Sequence, residues 1–109
     1  MTKEEWLTKC SKKTFDEEQL KRNLEGMTPA LRTLVRQLPF HAIVRLIKGP
    51  DDSEGIILGY ADTGKKATLR VLFFDEKTDK VYPVDPDNVE LVQEHDILTK
   101  EYIGGLLSE

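Results

Sequence analysis

The sequence holds a single cysteine, Cys10, so no disulfide can form within the chain. It opens on Met1-Thr2-Lys3-Glu4-Glu5, with no apolar leader. Both facts predict a reducing compartment, cytoplasmic or nuclear. No apolar run approaches the ~18 residues of a membrane span. There are two histidines, His41 and His95. With one cysteine they match no zinc spacing. Basic residues cluster only as the pairs Lys12-Lys13 and Lys65-Lys66, so no dense basic cluster forces a nuclear assignment. No internal repeat or low-complexity segment is present.

What remains is the composition of one globular domain. The 109 residues are 39% hydrophobic and 33% charged, which argues against disorder over most of the length. The net charge of −4 is unevenly spread. Residues 1–40 carry eight Lys or Arg against six Asp or Glu, and residues 41–109 carry eight against fourteen. The second part is therefore acidic by six charges. Nucleic-acid binders concentrate positive charge, so this part suits a cationic partner better.

Residues 1–39 read as helical. Thr2 and Glu5 have capping-box spacing ahead of Trp6, Leu7 and Cys10. Asp16 is a good N-cap for a second helix, Gln19 is its reciprocal partner, and Phe15 can staple onto Leu20. Leu20 and Leu24 form its apolar edge, and Gly26 stops it. A third helix starts at Thr28 with Pro29 at its first position. Leu31, Leu34, Val35 and Leu38 share a face, and Pro39 ends it.

From Phe40 the period changes from helical to alternating. Strands are predicted over 41–48, 56–61, 67–74, 80–84 and 89–92, with turns at Asp62-Thr63-Gly64-Lys65 and Asp85-Pro86-Asp87-Asn88. Five short strands in so few residues predict a small barrel, because closure removes exposed edges. Residues 94–109 place Leu98, Tyr102, Ile103, Leu106 and Leu107 at helical spacing, interrupted by Gly104-Gly105. The expected fold is α+β: N-terminal helices packed on a five-stranded barrel over 40–93, with a short C-terminal helix or tail.

The segments Gly55-Ile56-Ile57-Leu58-Gly59-Tyr60, Leu69-Arg70-Val71-Leu72-Phe73-Phe74-Asp75, Lys80-Val81-Tyr82-Pro83-Val84 and Asn88-Val89-Glu90-Leu91-Val92 resemble the SH3-like small-barrel superfold. They are nearest to Tudor-type domains, in which a third strand ends in an aromatic and an acid. The resemblance covers residues 44–92 and is one of pattern. It implies a barrel whose aromatics and an acid could cage methylated Lys or Arg by cation–π contact. Tyr60, Phe74 and Tyr82 are the candidate rings, with Asp75 or Asp62 as the acid. Such barrels host many functions, so the fold alone does not choose among them.

Catalytic patterns fit poorly. Asp62-Thr63-Gly64 resembles the triplet of retroviral-type aspartic proteases, in which two chains each supply one aspartate. That family has bulky aliphatics before the Asp and a small residue after the Gly; here Tyr60-Ala61 and Lys65 stand there. Gly59 to Lys65 begins a phosphate-binding loop, but Lys66 occupies the place of the required Ser or Thr. The acids at Asp51, Asp52, Glu54 and at Asp75, Glu76, Asp79 lack the calcium-loop pattern. No nucleophile has a local signature. The chain is accordingly expected to be non-catalytic, without cofactor or metal.

The expected function is a protein-interaction module. Alternatives are a Tudor-type reader of a cationic or methylated peptide, an RNA- or ribosome-associated barrel and, remotely, a dimeric aspartic protease. Arg70 should point outward, leaving Leu69, Val71 and Phe73 inside and sending Leu72 and Phe74 out. Likewise Val44 and Leu46 should face in, Ile43 and Ile47 out. A strand apolar on both faces needs a cover, and the helices offer only narrow stripes. The expected contact site is therefore an open outer patch of Tyr60, Leu72, Phe74 and Tyr82 beside Asp75 and Glu76, fitted to a partner with a basic segment.

Overall fold

A computed structural model describes residues 2–10, 17–48, 53–74 and 80–107, with side chains for all of these except 7–10. The elements in chain order are α1 (Lys3–Cys10), α2 (Glu17–Glu25), α3 (Pro29–Gln37), β1 (Ile43–Leu46), β2 (Glu54–Asp62), β3 (Ala67–Phe73), β4 (Val81–Val84), a 3-10 turn (Pro86–Asn88), β5 (Val89–Gln93) and α4 (Lys100–Leu107).

Helix starts follow side-chain chemistry. The Thr28 hydroxyl accepts from the Leu31 N–H at 3.3 Å, and Pro29 fills the first turn, where no N–H is needed. Thr2 accepts from the Glu5 N–H at 3.1 Å, one half of a capping box. The cap expected from Asp16 and the staple from Phe15 lie outside the described residues. Thr99 caps α4 through the Tyr102 N–H at 3.1 Å, and the helix runs through Gly104-Gly105.

The strands form one antiparallel sheet in the order β4-β3-β2-β1-β5. β1 to β4 are a meander, and β5 returns beside β1. No ladder joins β4 to β5, so the expected closed barrel is instead a sheet with two edges. The reason lies in length: β4 has four residues and ends in Val84, and a 3-10 turn carries the chain away from it before β5 begins. The sheet is nevertheless curled, because Val84 of β4 and Val89 of β5 join one buried cluster.

That cluster fills the inner face. Val44, Ile57, Leu69 and Val71 meet Leu34 of α3 and Leu38, which caps its C-terminal end. Here the alternation of β3 is as expected, with Leu69 and Val71 inside and Arg70 exposed. Gly55 is required where β2 crosses β3. A Cβ there would stand 2.6 Å from Val71 Cγ1 and 2.8 Å from the Leu72 carbonyl oxygen. A second cluster joins Leu24, Val35, Leu98 and Ile103 across α2, α3 and α4. α3 is thus shared, giving Leu34 to the sheet and Val35 to the helices. The third cluster lies on the outer face: Ile43, Ile56, Leu72 and Phe74 around Trp6 of α1. Among the described residues no helix is long and apolar enough to cross a membrane.

Candidate functional site

The residues expected to form one outer patch are divided between the two faces. Leu72 and Phe74 are on the outer face but are covered, being only 5% and 8% exposed beneath Trp6. Tyr60 is on the inner face. β2 carries an irregularity between Ile57 and Gly59, and the extra residue, Leu58, shifts the alternation by one. Ile57 pairs with Val71, Gly59 with Arg70 and Tyr60 with Leu69, so Tyr60 turns inward. Its ring meets Phe40 edge-on at 4.9 Å, and its hydroxyl donates to the Leu38 carbonyl. Burial pushes the phenol well above its ordinary value. Asp75 and Glu76 lie outside the described residues.

Tyr82 alone of the described set stays open. It pairs with Val71, so it belongs to the inner side of edge strand β4, opposite in sense to Phe74. Its ring tilts against Phe73 at 6.0 Å, making Phe73 its aromatic partner in place of Phe74. Val81 and Tyr82 are each 37% exposed, and Pro83 beside them is exposed too. Pro83 has no N–H to offer an incoming strand, which guards this edge against strand addition. What β4 presents is side-chain surface. Asp51, Asp52 and Asp79, like Asp75 and Glu76, lie outside the described residues.

Trp6 has the most elaborate surroundings. Its indole meets the His41 ring edge-on at 5.2 Å, and His41 meets His95 at 5.9 Å. His41 has φ 63, a left-handed conformation uncommon outside glycine. The buried His95 accepts at Nδ1 from the Ile97 N–H at 3.1 Å and the Leu98 N–H at 3.3 Å. It therefore holds the turn that delivers Leu98 to the helical cluster. Lys3 reaches Glu54 at 3.1 Å, one turn from Trp6. Sequence reasoning placed Trp6 on a helix face but gave it no partner. The only signal was its being the sole tryptophan in a mostly polar segment.

The Asp-Thr-Gly triplet is the β2–β3 turn. One Asp62 oxygen accepts from the Thr28 hydroxyl at 3.0 Å, the other from the Gly64 N–H at 2.9 Å. Gly64 has φ 85, which glycine adopts without strain. The aspartate ties the turn to the start of α3. The segment resembling a phosphate loop runs from strand to turn to strand, with no helix N-terminus to receive an anion. Lys66 and Asp85 form an exposed pair. The hydrogen bond from Lys66, then one from the Asp87 N–H, holds the Asp85 carboxyl below its usual range. Among the described residues no group of three or more His, Cys, Asp or Glu could hold a metal ion. Comparison with protein-family models, curated proteins and solved structures found no match.

Proposed function

We propose that this chain is a non-catalytic interaction module that binds a basic segment of a partner protein at its β4 edge. The single observation carrying this reading is the exposed Val81-Tyr82-Pro83 strip, with Tyr82 backed by Phe73. Apolar and aromatic side chains on an exposed sheet edge form a small contact core. The acidic balance of residues 41–109, fourteen Asp or Glu against eight Lys or Arg, favours a basic partner. An SH3-like kinship is supported by the return of β5 beside β1 and by the meeting of Val84 and Val89 in one core.

The test is titration of the full chain with labelled peptides alternating Lys or Arg with aliphatic residues. Binding should weaken with added salt and be absent for charge-reversed peptides. The Val81→Ser/Tyr82→Ala variant should lose at least tenfold in affinity while keeping its melting temperature. Equal binding by the variant refutes the site. The Phe73–Tyr82 pair also favours a Tudor-like reading, in which trimethyl-lysine peptides bind more tightly than unmethylated ones through cation–π contact.

A further inference from the structure

A cavity of about 540 Å³ opens between α2, α3 and α4, within the ~300–1,000 Å³ of small-ligand sites. Its floor is apolar, made by the buried Leu24 of α2 and the half-buried Leu106 and Leu107 of α4. Its walls are charged. Glu17, Lys21 and Glu25 line it from α2, and Arg32 lines it from α3. All four are exposed. The three on α2 stand four residues apart, where opposite charges ordinarily pair along a helix. Among the described residues, however, the ion pairs are Lys3–Glu54, Arg45–Glu90 and Lys66–Asp85. The wall charges do not pair with one another. Arg32 is fixed by its Nε–H, which donates to the Met27 carbonyl at 3.0 Å. That bond leaves both terminal guanidinium nitrogens for a ligand.

Gly105 supplies the remaining side of the cavity. The fold does not require a glycine there. Its backbone is not left-handed, and a Cβ would meet nothing within 4 Å. Glycine nevertheless weakens a helix. The effect of its missing side chain is to leave the cavity unfilled.

We propose that this cavity binds a small zwitterion with an aliphatic body, a free apolar amino acid or a short apolar peptide with free termini. Two carboxylates and two cations around the mouth sum to zero. A ligand of one sign is therefore repelled as much as it is attracted, whereas a zwitterion meets its complement at both ends. Arg32 takes the carboxylate, which its planar fork matches, with Lys21 as the second cation. Glu17 and Glu25 take the ammonium group. Leu24, Leu106 and Leu107 remove the aliphatic body from water. The cavity shares no residue with the β4 edge, so the two sites stand or fall separately.

The site is tested by NMR titration of the full, nitrogen-15-labelled chain, followed at the Gly105 amide. The probes are L-leucine and trileucine with free termini, each compared with its N-acetylated and its C-amidated form. Saturable binding of at least one free probe is expected, and either block should weaken it at least fivefold. Leucine binding as tightly as trileucine assigns the site to a free amino acid. Trileucine binding at least tenfold more tightly assigns it to peptide termini.

Gly105→Phe fills the cavity from α4. It should abolish binding while the melting temperature stays equal or rises, because glycine is the poorer helix former. If Gly105→Phe fails to fold, Gly105→Leu serves, with the same loss expected. The Lys21→Gln/Arg32→Gln variant should erase the penalty of amidation and keep that of acetylation. Glu17→Gln/Glu25→Gln should do the reverse. Residues with a merely structural role would not separate the two penalties. Absence of saturable binding by either free probe overturns the proposal. So does equal binding of free and blocked forms, or undiminished binding by the filled chain.

Discussion

The inner and outer faces of the sheet are both apolar, yet they are covered by different means. On the inner face, β1, β2, β3, β4 and β5 all contribute to one cluster, and α3 closes it with Leu34 and Leu38. α3 is itself held from behind, because Val35 is locked into the cluster with Leu24 and Ile103. On the outer face, among the described residues, Trp6 of one short helix is added to what the strands provide. A cover bound on two sides unfolds with the domain, whereas a cover bound on one side can leave without it. Equal burial of two side chains therefore does not imply equal roles in stability.

The largest effect should come from the doubly held cover. Leu34 is 5% exposed, and Leu34→Ala should cost roughly 2–4 kcal/mol, read from denaturant melts. A loss under about 1 kcal/mol would mean α3 is no part of the core, and the contrast between the faces would disappear.

A smaller effect is expected from the larger side chain. Trp6→Ala should cost only about 1–2 kcal/mol, below the ~3–5 kcal/mol of a core aromatic. Removing the anchor releases α1 and recovers its ordering entropy. Denaturant melts followed at the sheet check this. A cost matching or exceeding that of Leu34→Ala would remove the contrast between the two covers.

The smallest effect sharpens the inner face alone. The buried Tyr60 phenol has its pKa raised above the ordinary 10.0. A raised folded value means the contribution is complete below the ordinary, unfolded value. It is lost as the pH climbs past it, because the unfolded chain ionises first. Stability should therefore begin to fall as the pH passes about 10 and keep falling above it, and Tyr60→Phe should flatten that fall. Melting temperatures across the range check it. An unchanged slope would mean Tyr60 is not sealed against Leu38.

Much of this architecture was readable before any coordinates. Thr28, Pro29, the spacing of Leu31, Leu34, Val35 and Leu38, and then Pro39 name α3 almost to the residue, since caps and periodicity are local. The alternation of β3 was equally legible, because Arg70 marks the outward phase. The candidate site was less so. The expected outer patch included Tyr60 with Leu72 and Phe74, whereas one irregular residue in β2, Leu58, turns Tyr60 inward. Period-two reasoning has no warning of a bulge unless the sequence marks it, and here Gly59 was the only mark. Phe73 does face inward as expected, packed half-buried against the inner cluster, where Tyr82 reaches it.

By itself the sequence determined the local elements: the start of α3, the phase of β3, the Asp62-Thr63-Gly64 turn and the acidic balance of residues 41–109. These depend on neighbours a few positions apart, whose interactions form whatever the rest of the chain does. Only the tertiary structure decided that the sheet stays open between β4 and β5, that Tyr60 and Tyr82 do not share a site with Phe74, and that Trp6 covers the outer face. Each of those joins residues tens of positions apart. Which distant apolar surfaces meet is settled by competition among all of them for the same burial, and no single segment carries that outcome.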